Sequence, residues 1–360
     1  MRVIEFYELK LKSLSKRIFV RMEPAPVQSQ ASVVSLTSAF CKKLSIFSAI
    51  ILMVMFAFGQ TEKDSVSHVP VKRVIDFPLH KSRVWLIGGL NVAGYGTSII
   101  IFNNTWYQDY PKTSFHTFND SKEWQQMDKA GHSWAAYNSA LLSSAMWRWT
   151  GMEEKKATWI GGISSTVYLT VIEILDAHSA KWGWSWADMG ANVFGSGLFL
   201  SQQLGWEEQR IQFKFSFHRK SYSDPILNER SDDLFGSTWT ERMLKDYNGQ
   251  TYWLSANLRS FFPGSNLPAW LNVAFGYGSD GMFGGFENKW TDGDPGFPVD
   301  RTDVKRYRQW YLAPDIKFSN IETKKKGLRV LFHVLDAFKF PAPALELNAH
   351  GKAKLYLLYF

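Results

Sequence analysis

The sequence predicts an α+β protein, with an N-terminal bundle of about four helices followed by an antiparallel β-sheet that is open or barrel-like. Three observations predict it. Between Val84 and Gly205 the apolar residues run in long stretches of helical length with few charges. From Ile211 onward apolar and polar residues alternate in short runs, the period of a half-buried strand. The two regimes meet near Gly205, which divides a helical region, 83–205, from a β region, 206–360.

Residues 1–59 read as a signal segment and 60–82 as a linker. Ser45 to Phe58 is an uncharged apolar run preceded by Lys42 and Lys43. Ala57 and Gly59 then place small residues at alternate positions, so the exported chain is expected to begin near Gln60. The run is shorter than the roughly 20 residues of a spanning helix. An uncleaved membrane anchor is the alternative reading. The single cysteine, Cys41, precedes the apolar run, whereas a lipoprotein signal carries its cysteine after it. Without residues 1–59 the chain has no cysteine and therefore no disulfide.

The whole chain carries 41 basic and 33 acidic side chains, a net charge of +8. Eight of the basic and three of the acidic residues lie in 1–59, which leaves 33 against 30, or about +3. That balance gives no reason to expect nucleic acid as a partner. The aromatic content does stand out, with 16 Trp, 14 Tyr and 27 Phe. Amphipathic rings suit a membrane interface or a carbohydrate-facing surface.

The first helix is expected over Val84 to Phe102, nineteen residues without a charge. The second should start near Ser121, with Asp120 as its N-cap and Glu123 three residues on, and stop at Gly151. A third fits Glu153 to about His178, and a fourth follows Ser185 and ends before Gly205. In the β region, Ile211 to His218, Leu254 to Arg259 and Leu271 to Tyr277 alternate. Tyr307 to Phe318, Leu328 to Leu335 and Lys354 to Phe360 are weaker candidates. Short turns alternate with the long links 219–250, 279–305 and 336–352. That habit, and the aromatic C-terminal strand ending on Phe360, belong to outer-membrane barrels. Six strands are fewer than the usual minimum of about eight, and a soluble sheet packed on the bundle fits the same pattern.

Three of the helices carry ionisable groups within apolar surroundings. Asp128 and His132 stand four apart and share a face, with Lys129 beside them. Glu173 and Asp176 stand three apart, and Asp188 and Asn192 four apart. Unpaired charge within apolar helices is expensive, so the helices are expected to turn these six groups toward one another. Four carboxylates, an imidazole and an amide in one place could hold a divalent metal or perform acid/base chemistry. Each also has an ordinary explanation. Asp188 would complete a capping box with Ser185, Glu173 and Asp176 would be solvated near a helix end, and His132 would be a satisfied core histidine. Asp109, His116 and Asp120 look like ordinary loop residues, and His178 like a helix-end residue.

The order Asp128-Lys129-x-x-His132, an acidic residue at Glu173, then Ser185-x-x-Asp188-x-x-Ala191-Asn192-x-x-Gly195 resembles the YfiM-like family of predicted periplasmic lipoproteins, a domain of unknown function (DUF2279). The resemblance covers roughly 84–203. A weaker one extends to VanZ-like membrane proteins, which share a D-K-x-x-H, acidic, D-x-x-x-N-x-x-G order on helices. Neither pattern includes the β region, and Cys41 does not stand where a lipoprotein requires it. The resemblance implies a location in the periplasm or outer membrane of a Gram-negative-type envelope and brings no established activity. Three functions are therefore expected to compete: a non-catalytic, membrane-associated protein that binds envelope lipid or glycan or is structural, a metal-assisted hydrolase or transferase acting on an envelope lipid or polysaccharide, and a small outer-membrane pore.

Overall fold

The computed structural model describes residues 78–103, 107, 110–292 and 296–360. The expected signal segment with Cys41, the linker up to residue 77, and Asp109 lie outside the described residues.

Four long helices come first: α1 (Lys81–Phe102), α2 (Met127–Trp149), α3 (Glu154–Ala177) and α4 (Trp186–Trp206). Two glycines bring the last three together. A Cβ at Gly195 on α4 would lie 2.1 Å from the Ser133 carbonyl of α2, and one at Gly161 on α3 would lie 2.6 Å from the Ala140 carbonyl. Only a residue without a side chain lets these backbones approach so closely. The helix expected to begin near Ser121 in fact begins at Met127, and Asp120 is not its N-cap. Residues Glu123–Gln126 form a 3-10 turn in which Trp124, Gln125 and Gln126 take φ of 47°, 50° and 66°. Non-glycine residues adopt that region only when their surroundings hold them there. The sheet does so. Tyr277 Oη donates to the Gln125 carbonyl at 2.5 Å, Arg308 to Gln126 Oε1 at 2.7 Å, and the Trp124 amide to the Gly285 carbonyl at 2.7 Å.

The β region supplies β1 (Ile211–Phe217), β2 (Gln250–Asn257), β3 (Leu271–Asp280), a separate hairpin of β4 (Lys289–Asp292) and β5 (Phe297–Asp300), then β6 (Tyr307–Ile316), β7 (Ala342–Asn348) and β8 (Ala353–Tyr359). Six of them form one antiparallel sheet in the order β1-β2-β3-β6-β7-β8. The link 219–250 contains α5 (Pro225–Phe235) and α6 (Trp239–Lys245), and a short α7 (Leu258–Phe261) follows β2. The Asn257 side chain caps α7 by accepting from the Ser260 amide at 3.0 Å, so Leu258 and Arg259 leave the strand expected to include them. Leu328 to Leu335 is likewise not a strand. It lies in α8 (Lys326–Leu335), where Leu328, Leu331, Phe332 and Leu335 recur at helical spacing. The strand β7 falls inside what reads as a long link.

The sheet is strongly curled but does not close into a barrel. Thr251 on β2 reaches Tyr359 on β8 at 3.0 Å, hydroxyl to hydroxyl, across the concave side. Lys214 on β1 meets Asp315 on β6 at 2.9 Å. Among the described residues the β1 edge pairs with the segment before β7, where the Phe215 amide donates to the Ala337 carbonyl and the Lys339 amide to the Phe215 carbonyl. The concave interior holds Trp253, Tyr311 and Tyr359 with the buried charges of Lys214, Asp315, Lys339 and Glu346.

The convex face has the opposite character. Hydrogen-bonded register places Phe213, Leu254, Phe275, Leu312, Leu345 and Leu355 in one row across all six strands. Helix α2 covers the β1 end of this face, and Phe213 packs there with Met127 and Tyr137. Beyond that cover the row is open to solvent, rising to 68% exposure at Leu355. The α3 residues Ile163 and Val167 are more than half exposed as well. This is an apolar exterior around a polar interior.

Candidate functional site

Helical geometry brings the ionisable residues together. One turn of α2 puts Asp128 and His132 on the face toward α4. The first turn of α4 supplies Asp188 and the second Asn192, while the last two turns of α3 supply Glu173 and Asp176. His132 Nε2 lies 3.9 Å from Asp128 Oδ1 and 3.8 Å from Asp188 Oδ1. On the other side of the ring, Nδ1 donates to Asn192 Oδ1 at 3.1 Å and lies 3.6 Å from Glu173 Oε1. Lys129 Nζ bridges Asp120 at 2.6 Å and both Asp128 and Asp188 at 2.9 Å. Asp176 stands apart from these contacts and accepts from Tyr107 Oη at 2.7 Å.

The ordinary explanations are met in part. Ser185 does cap α4, its Oγ accepting from the Asp188 amide at 3.0 Å. The Ser185 amide goes to Glu173, which leaves the Asp188 carboxylate facing Lys129 and His132. His116 pins its loop through Nε2 and the Trp182 carbonyl at 2.6 Å, and His178 lies 3.2 Å from the Thr113 carbonyl. Asp120 is not an ordinary loop residue. It is buried, holds Lys129 and accepts from Ser185 Oγ at 2.5 Å. Tyr247, between α6 and β2, donates to Asp128 Oδ1 at 2.8 Å. Neither residue lies in a periodic run, so nothing in the spacing marks them.

The balance of burial and charge sets the protonation of each group. Burial drags His132 down, but Asp128, Asp188 and Glu173 outweigh it and raise the imidazole to about 9. Burial pushes Asp128 up, but His132 and Lys129 overcome it and hold the carboxyl at about 2. Burial, reinforced by Asp128, lifts Asp188 to about 8. Burial also lifts Glu173 to about 7 and Asp176 to about 6. Burial thus moves the Glu173 carboxyl from the acidic toward the neutral range. Glu173 Oε1 and Asn192 Nδ2 have no hydrogen-bond partner among the described residues, although both side chains are buried.

A groove of about 480 Å³ runs beside the cluster, between α2, α4 and the sheet. Lys129, Ser133, Gly190, Phe194, Phe213 and Tyr277 are among its lining residues. Lys129 belongs to both cluster and groove.

Residues 117–201 match the family described as "Predicted periplasmic lipoprotein (DUF2279)". The match contains Asp120, Asp128, Lys129, His132, Glu173, Asp176, Asp188 and Asn192, and it stops before the β region. It supports an exported envelope protein of unknown function. It does not extend to the narrower YfiM-like name, and nothing supports the VanZ-like likeness. No curated protein and no solved structure matches the chain.

Proposed function

We propose that this is an exported envelope protein that binds a membrane surface through the convex face of its sheet. The observation that carries the reading is the uncovered row from Leu254 to Leu355, with charge turned to the concave side. Exposed contiguous apolar surface marks a binding face. Lipid suits it because α8, with Leu328 and Leu331 exposed, begins within the basic run Lys324-Lys325-Lys326. An amphipathic helix and a basic cluster together favour an anionic lipid interface. The open sheet argues for lying on the membrane rather than crossing it, since unpaired strand edges are not tolerated in hydrocarbon. Among the described residues the open sheet encloses no lumen for the pore reading to rest on.

Flotation with phosphatidylglycerol vesicles tests this. The protein should float with them and bind phosphatidylcholine vesicles more weakly. Leu312→Asp with Leu345→Asp, in a chain whose circular dichroism is unchanged, should abolish flotation. Wild-type protein that stays at the bottom of the gradient, or a double variant that floats normally, contradicts the reading.

The groove favours a second reading, a hydrolase or transferase acting on an envelope lipid or polysaccharide. Its observation is the shared Lys129, which places the charged cluster beside a shallow, open apolar groove. Incubation with envelope lipid and glycan extracts should then yield a product that Asp188→Asn fails to form. Equal product from the variant contradicts it.

A further inference from the structure

We infer that Asp128 Oδ1, His132 Nε2 and Asp188 Oδ1 are the protein ligands of a divalent transition-metal ion. The inference deepens the second reading and is independent of membrane binding.

The three donor atoms lie within 4.8 Å of one another, at 3.9 and 3.8 Å from the imidazole nitrogen to the two carboxylates. Ligands about 2.1 Å from a tetrahedral ion stand roughly 3.4 Å apart, so a few tenths of an ångström of side-chain movement closes the set. Helix geometry fixes two of the three positions, one turn apart on α2.

The surroundings of His132 point the same way. A ligating histidine donates its second ring N–H to a carbonyl or carboxylate, which fixes the tautomer and aims the free nitrogen. His132 Nδ1 donates to Asn192 Oδ1 at 3.1 Å, which leaves Nε2 toward Asp128 and Asp188. Behind it stands Glu173, 1% exposed, with Oε1 unpartnered and 3.6 Å from Nδ1. The Ser185 amide serves the Glu173 carboxylate, but the Oε1 oxygen turned to the back of the imidazole has no hydrogen bond, as expected behind a metal ligand. Asp128 is oriented in turn by Tyr247 at Oδ1 and Lys129 at Oδ2. Lys129 also contacts Asp188 Oδ1 and balances part of the negative charge beside the ion.

The site is open on one side. The side chains of His132 and Asp128 are 20% and 23% exposed, against 1% for Glu173. Three protein ligands with an open side leave room for water or substrate, the arrangement of catalytic rather than structural metal sites. One imidazole with two carboxylates suits Zn²⁺, Mn²⁺ or Fe²⁺ and disfavours Ca²⁺, which takes oxygen only, and Cu⁺, which prefers thiolate.

The test is metal binding by the purified full chain. Isothermal titration with Zn²⁺ and with Mn²⁺ should give one ion per chain, with much weaker binding of Ca²⁺. Cobalt-loaded protein should show a visible absorption band. His132→Gln should lose both, and Glu173→Gln should keep the band while affinity falls on the order of 10- to 100-fold. Absence of stoichiometric binding to the wild type, or undiminished binding in a folded His132→Gln variant, overturns the inference. If that variant does not fold, the cobalt spectrum of the wild type decides, and a featureless spectrum counts against the site.

Discussion

The interior of the curled sheet and the space between the helices both bury charge, and they treat it differently. In the sheet, Asp315 faces Lys214 at 2.9 Å and accepts from Ser255 Oγ at 2.6 Å and from the Phe340 amide at 3.0 Å. Lys214 donates also to the Ile316 carbonyl, and Lys339 to those of Pro314 and Phe340. Every charge there has backbone or side-chain partners. Between the helices, Asp128, Glu173 and Asp188 from helices and Asp120 from a loop share a single lysine and a single histidine. Glu173 Oε1 and Asn192 Nδ2 are left over, and the chain enters α2 through three left-handed residues. Buried polar groups in stable structure are nearly always satisfied, and exceptions with backbone strain gather at functional sites. The sheet network is a structural solution. The helical network keeps unfulfilled bonding capacity for something else.

The largest effect that sharpens this contrast belongs to the sheet. Asp315→Ala leaves Lys214 buried without its anion, and breaking a buried pair in this way costs about 3–5 kcal/mol. Chemical denaturation should show that loss; a change under about 1 kcal/mol would mean that the sheet interior is wet and the contrast false. His132→Ala should cost less, roughly 1–3 kcal/mol, because its neighbours already lack full pairing.

Acidity should act on the two regions from opposite sides. In the metal-free protein His132, raised to about 9, contributes stability that is complete below its unfolded value of 6.5 and lost as pH rises through 9. Asp188 and Glu173, raised to about 8 and 7, take up protons in the same sense, so their burial grows costlier as pH climbs from about 4. At the end of β1, burial and Lys220 lower His218 to about 4. Its contribution is present above 6.5 and lost as pH falls through 4. Amide exchange should therefore loosen α2 and α4 first on the alkaline side and the β1 end first on the acid side. Uniform loosening at both extremes would break the comparison.

Much of this was legible in the sequence where periodicity is long. Nineteen uncharged residues give α1, and pairs at i and i+4 put Asp128 with His132 and Asp188 with Asn192. Legibility failed where tertiary contact decides. Asp120 and Tyr247 join the cluster from loops, and the left-handed turn at Trp124 to Gln126 exists because β3 and β6 hold it. Val330 to Leu335 is a run apolar but for His333 that fits either period, and its helical spacing shows only when Leu328 is counted with it. The strand β7 was hidden by Pro343 at its second residue, and curling without closure depends on pairings between strands far apart in sequence.

The smallest expected change tests the central claim most directly. Glu173→Gln and Asp315→Asn each remove one buried carboxylate charge while keeping its shape, and their unfolding free energies should be measured side by side. If the helical cluster is maintained for function, Glu173→Gln stays within about 1 kcal/mol of wild type, since the lost oxygen had no hydrogen bond to forfeit. Asp315→Asn then loses several times as much. A Glu173→Gln loss equal to that of Asp315→Asn would show that both networks are structural and contradict the account.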